Sequence, residues 1–200
     1  MPTQTSIDIM QFEQEEIEHI QLTKAILRSR IYNFHTTICD NIDVPNVATG
    51  WFVSGGCIAS LLQNEKPKDF DVYFKNSQMA QPVLDLFLTN PFYNEQIADI
   101  DENYRDVTPN VNGKCITENA ISLKSGVQMI TKHYGMPDEI RKTFDFVHCM
   151  PYYDPYSDKL YISKQQYICC TQKKLIRNMK HEIGQYDRSG KFIERGYTWL

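Results

Sequence analysis

The chain has 200 residues, a formal net charge of −4, and 42% hydrophobic, 23% charged and 12% aromatic residues. That length holds one domain with a proper core rather than two, and the aromatic content excludes a disordered chain, because such rings bury large areas when they pack. The acidic balance argues against sequence-independent binding to long nucleic acid.

In chain order, the first 40 residues read as helix. Ile17, Ile20, Leu27, Ile31, Phe34 and Ile38 recur at steps of three, four and seven and form one apolar stripe. The acidic start MPTQTSIDIMQFEQEE lacks the basic-then-apolar order of a signal peptide. No apolar run approaches the roughly 18 residues of a membrane helix, so a cytoplasmic protein with no membrane partner is expected. The turn-rich DNIDVPNVATG ends the helix, and WFVSGG is a short buried strand running into a glycine turn. CIASLLQNE follows as a short helix. In DFDVYF, Phe70, Val72 and Phe74 fall on one strand face and Asp69, Asp71 and Tyr73 on the other. A helix is predicted over 82–88 and strands over 96–100, 115–123 and 127–131. PDEIRK is a helical turn, TFDFVHCM a further strand, and the last forty residues are mainly helical, with Gly196 as a C-terminal cap after KFIER. Three segments result: an amphipathic helical segment 1–45, a core 46–163 and a helical C-terminal segment 164–200. Between 172 and 195 seven Lys/Arg stand against three Asp/Glu, a local +4 that leaves −8 on the rest of the chain. The C-terminus is therefore the surface suited to phosphates.

The middle of the chain carries the chemistry. A strand ends in Gly55-Gly56 and a helix begins at once; glycines let a ligand approach the backbone closely, and free N–H groups there attract anions. About a dozen residues later a strand presents Asp69 and Asp71 on one face, where two carboxylates can share divalent cations that relieve their repulsion. A phosphate cradle followed by paired acids is apparatus for metal-assisted phosphoryl or nucleotidyl transfer.

VSGGCIASLLQNEKPKDFDVYF resembles the signature of the DNA polymerase β-like nucleotidyltransferase superfamily, and in particular the head domain of CCA-adding enzymes and bacterial poly(A) polymerases. The resemblance covers roughly 51–153 and extends to Phe144-Asp145-Phe146, which matches a later strand with an acid between apolar residues. It implies an α+β fold with a mixed, mostly antiparallel sheet flanked by helices. Asp69 and Asp71 would then hold both Mg²⁺ (or Mn²⁺) ions and Asp145 would help hold the ion that activates the attacking hydroxyl. Gly55, Gly56, Ser54 and Lys68 would meet the phosphates of an NTP. CCA-adding enzymes carry an Arg-Asp pair where this chain has Ala59 and Ser60, and two arginines where it has Thr143 and Phe144. The resemblance thus stops short of CCA addition to tRNA. The whole layout, KFIERGY included, is more similar to short nucleotidyltransferase-like proteins of bacteriophage and bacterial genomes.

Each residue also has a structural reading. Asp145 could pair with Arg141 or Lys142, Ser54 could close a local turn bond, and Lys68 could be a solvated loop charge. His148 is expected as a hydrogen-bonded core residue, and the tyrosines of PYYDPY as buried rings at a strand-to-loop turn. Arg188, Lys191 and Arg195 recur at helical spacing as a basic face, solvated or phosphate-binding. Six cysteines without a CxxC pair read as reduced, mostly buried thiols, and Cys169-Cys170, taken as strand residues, do not make a zinc site. Two functions follow. One is a metal-dependent nucleotidyltransferase that moves a nucleoside monophosphate from an NTP to a hydroxyl of an RNA, a protein or a small molecule. The other is a catalytically silent member of the same fold, assembled through its N-terminal helix, for example in a phage virion.

Overall fold

A computed structural model describes residues 12–100, 113–179 and 188–200. Helix α1 (Gln14–Asn41) is followed by β1 (Trp51–Ser54), α2 (Gly56–Leu62), β2 (Phe70–Phe74), α3 (Ser77–Thr89) and the single turn α4 (Pro91–Asn94). Then come β3 (Ala120–Ser122), β4 (Val127–Tyr134), the turn α5 (Pro137–Ile140), β5 (Tyr152–Asp154), β6 (Lys159–Tyr161) and α6 (Lys164–Thr171). Strand β7 (Lys174–Leu175), α7 (Ser189–Ile193) and β8 (Thr198–Trp199) complete the chain. Six strands form one sheet in the order β3-β4-β2-β1-β5-β6, in which only the β2–β4 pairing is parallel. This is the mixed, mostly antiparallel sheet flanked by helices that the resemblance implies.

The alternation in β2 decides how the layers stack. Phe70, Val72 and Phe74 join Trp51, Val53, Val127, Met129 and Tyr153 in the main core. The stripe of α1, together with α2, α3 and Tyr167 and Cys170 of α6, closes over it, so all three segments of the chain share one core. The opposite face is also covered: Tyr73 and Phe52 stack at 5.8 Å, and Phe144 meets Tyr73 edge-on at 5.8 Å. No described helix is long and apolar enough to cross a membrane.

Several expectations are corrected. Segment 96–100 forms only isolated pairings, Ile97 with Leu123 and Asp99 with Lys114, and 115–123 yields three strand residues because the chain doubles back at Ile116 and Ile121. TFDFVHCM is not a strand: Val147–Cys149 is a 3₁₀ turn. Its alternating apolar residues serve two different clusters, Phe144 packing on Tyr73 while Phe146 packs on Phe192 and Leu175. Among the described residues of the last forty, helix does not predominate, since α6 and the five-residue α7 share that stretch with the parallel pair β7–β8. Lys173 adopts φ 51° just past α6, and its carbonyl accepts from Thr198 N at 2.9 Å, which brings the C-terminus back beside it. Cys169 and Cys170 are buried in α6, a helix. Gly196 does terminate α7: its φ is 85° and its N–H donates to Ile193 O at 2.9 Å.

Candidate active site

The site is built where β1 turns into α2. Gly55 has φ 94°, a region that L side chains avoid, and its N–H donates to Cys149 O at 3.2 Å. A Cβ at Gly55 would stand 2.8 Å from Oδ2 of Asp71. Glycine is therefore required twice over, for the turn and for the carboxylate lying on it. Beside Gly56 the space is open. Ser54 pairs with Asp71 across the β1–β2 ladder. Its hydroxyl is fully buried and donates to Pro151 O at 2.8 Å, so the phosphate contact expected of Ser54 is replaced by a bond that ties β1 to the chain entering β5. Lys68 lies exposed just ahead of the acids.

Asp69 acts on Asp71. Burial raises the Asp71 carboxyl, the neighbouring Asp69 raises it further, and Lys191 partly offsets both, leaving it at about 7. The Cys57 thiol beneath is pushed up by burial and then by the same two acids.

Asp145 takes a different part. Nε of Arg188 donates to its Oδ2 at 2.5 Å, while the Asp145 carbonyl accepts from Asn178 N at 2.8 Å. Among the described residues its side-chain ion-pair partner is Arg188 rather than Arg141 or Lys142. Burial pushes the Cys149 thiol up to about 12, Arg188 and Lys191 pull it back, and Asp145 and Asp71 push the same way as burial. Asp71 thus lies against the glycine turn, the turn is bonded to Cys149, and Arg188 reaches Asp145 from the C-terminus. Among the described residues, however, no group of three or more His, Cys, Asp or Glu side chains is placed to hold one metal ion.

Sequence reasoning marked Arg188 and Lys191 as a basic face but not as one aimed at the acids; the local +4 beside a −8 remainder was the available signal. It missed Cys149. It also missed a cavity of about 220 Å³ on the same sheet face, beyond the Phe52–Tyr73 rings, lined by Phe52, Lys75, Pro137, Asp138, Tyr152 and Asp154 among others. His148 is buried, but neither ring nitrogen has a hydrogen-bond partner among the described residues. It packs instead between Phe146, Phe192 and Tyr197.

Comparison with known proteins places the chain. The family model described as Gabija anti-defense 2 family protein matches residues 25–173. The chain belongs to that family. Curated proteins return no match. Among solved structures, it is similar to an apo form of a CCA-adding enzyme (10% identity, TM-score 0.39) and to the Thermotoga maritima CCA-adding enzyme complexed with tRNA (12% identity, TM-score 0.40). Each similarity covers 80% of this chain and 44% of the other, so the chain spans less than half the length of those enzymes.

Proposed function

We propose that this chain is a metal-dependent nucleotidyltransferase acting in the anti-defence role its family is named for, transferring a nucleoside monophosphate from an NTP to a hydroxyl of a protein, RNA or small-molecule acceptor. The observation that carries the proposal is the Asp71 carboxylate laid against the Gly55-Gly56 turn, with Asp69 two residues before it and Asp71 held at about 7 by burial and by that neighbour. Two hard oxygen donors in mutual repulsion suit Mg²⁺ or Mn²⁺. When bound, such ions supply charge neutralisation for the triphosphate and a lowered pKa for the acceptor hydroxyl. The residues would do the rest: Gly56 leaves room for a phosphate, Asp69 and Asp71 would hold the cations, and Asp145, once released by Arg188, would join them and take the acceptor proton. Rate enhancement then rests on positioning and electrostatics without a covalent enzyme intermediate.

The test is label transfer. The purified chain, each α-labelled NTP with Mg²⁺ or Mn²⁺, and an extract of Gabija-bearing cells should yield a labelled product, and Asp69→Asn and Asp71→Asn should lose it. Those variants should also lose any ability to counter the defence in such cells. The pairing of Arg188 with Asp145 favours a second reading, a non-catalytic binding module acting in the cytoplasm or within a particle. In that case the acid variants keep their anti-defence effect and no label moves.

A further inference from the structure

The C-terminal cations stand where a nucleotide's own charge partners would be needed. Arg188 and Lys191 lie one helical turn apart at the start of α7, and both are exposed. In the Arg188–Asp145 pair the arginine side chain is 57% exposed and the carboxylate only 13%. The arginine is thus the more exposed partner of the pair and the carboxylate the more buried one. The backbone that carries both cations is anchored: Phe192 is buried, with its ring 5.2 Å from Phe146 and 4.5 Å from His148. Lys191 lies near enough to Asp71 to oppose its repulsion by Asp69.

Resting on the nucleotidyltransferase reading, we propose that Arg188 and Lys191 are triphosphate-binding side chains that stand on Asp145 and near Asp71 until a nucleotide and its divalent cations arrive, and then exchange the carboxylates for phosphate oxygens. The exchange follows from charge. Among the described residues, three carboxylates stand against two basic side chains. Divalent cations on the acids displace the side-chain cations, and a triphosphate gives these a stronger partner, because a guanidinium fork matches phosphate geometry. Like charges cannot share the carboxylates, so metal and basic side chains compete for the acids while metal and nucleotide cooperate.

The prediction is a change of opposite sign in two affinities. Calorimetric titration of the full chain with Mn²⁺ alone should show tighter binding in Arg188→Gln and Lys191→Gln than in the parent, since the acids lose their internal competitor. Titration with each α,β-methylene NTP in saturating Mn²⁺ should show binding weakened about tenfold in the same variants, the loss expected for one charge-assisted hydrogen bond. Lys191→Arg should restore nucleotide binding. Lys191 is exposed on a helix surface, so its variants test the idea even if Arg188→Gln unfolds. If the parent binds Mn²⁺ and the nucleotide analogue and neither affinity moves, or both move the same way, this proposal is overturned while the nucleotidyltransferase reading stands. Binding of neither ligand by the parent overturns both.

Discussion

At the scale of residues, the Asp71 carboxylate sits on a turn that has room for it only because residue 55 is glycine, with Asp69 adding a like charge. Its carboxyl is raised to about 7, above its unfolded value, so as pH rises from about 4 the unfolded chain gives up this proton first. Stability then falls with pH across that window and is lowest above 7. Asp71→Asn removes the charge at nearly constant shape. It should stabilise the protein by an amount of order 2–4 kcal/mol at pH 8.5, from one pKa unit being worth about 1.4 kcal/mol, and by progressively less down to pH 4. Urea unfolding of both proteins at several pH values checks this; a variant less stable at every pH would mean that Asp71 is a structural acid. The i, i+2 placement of Asp69 and Asp71 was legible from the alternation of DFDVYF, although Asp69 stands one residue ahead of β2 and the β2–β4 register shifts between Val72 and Phe74. Asp145 was legible as an acid between apolar residues, but its partner was not. Arg188 lies 43 positions further along, and no local pattern links them.

At the scale of elements, α7 owes its position to packing. A five-residue helix is too short to hold itself together, and Phe192 supplies the anchor by closing on Phe146, His148 and Tyr197. A reading by helical period marks Arg188, Lys191 and Arg195 as a face but cannot say what it faces, because that is set by the return of β8 to β7. His148 is part of the anchor. Burial lowers its imidazole to about 4, with the Arg195 charge adding to the effect. Between about pH 6.5 and 4 the unfolded chain therefore takes up a proton that the folded one refuses, and stability declines as pH drops, by up to about 3 kcal/mol from this group. His148→Phe should remove that part of the pH slope, measured as urea midpoints from pH 7 to 4.5. Equal slopes in the two proteins would show that His148 does not report on the anchor.

For the whole molecule, the sheet and its α1 layer were largely legible because hydrophobic periodicity survives in long elements: of the helix expected over the first 40 residues, α1 supplies Gln14–Asn41, while 1–11 lie outside the described residues. What failed was short pairing in 96–123 and the sense of what α1 is for. As a sequence, the stripe Ile20, Leu27, Ile31, Phe34 and Ile38 offers itself equally to a partner or to the chain's own sheet. In the fold it is buried in the main core, and Phe34 packs on Trp51 of β1 at 5.1 Å and on Phe87 of α3 at 5.9 Å. On its flank Lys24 and Arg28 reach Asp158 at 3.1 and 3.2 Å, and Tyr153 donates to the same carboxylate at 2.8 Å, which ties α1 to the β5–β6 turn. Partly exposed ion pairs of this kind add little, so the apolar stripe carries the attachment. Leu27 is fully buried, and Leu27→Ala should cost about 2–5 kcal/mol, the range for emptying a buried leucine site. Tyr32, 60% exposed on the other side of α1, should tolerate alanine within about 0.5 kcal/mol. Thermal unfolding with light scattering on the same samples decides what the helix does. A lower midpoint at unchanged mass for Leu27→Ala means that α1 is a layer of the fold. A change in mass at an unchanged midpoint would return it to the role of an assembly surface.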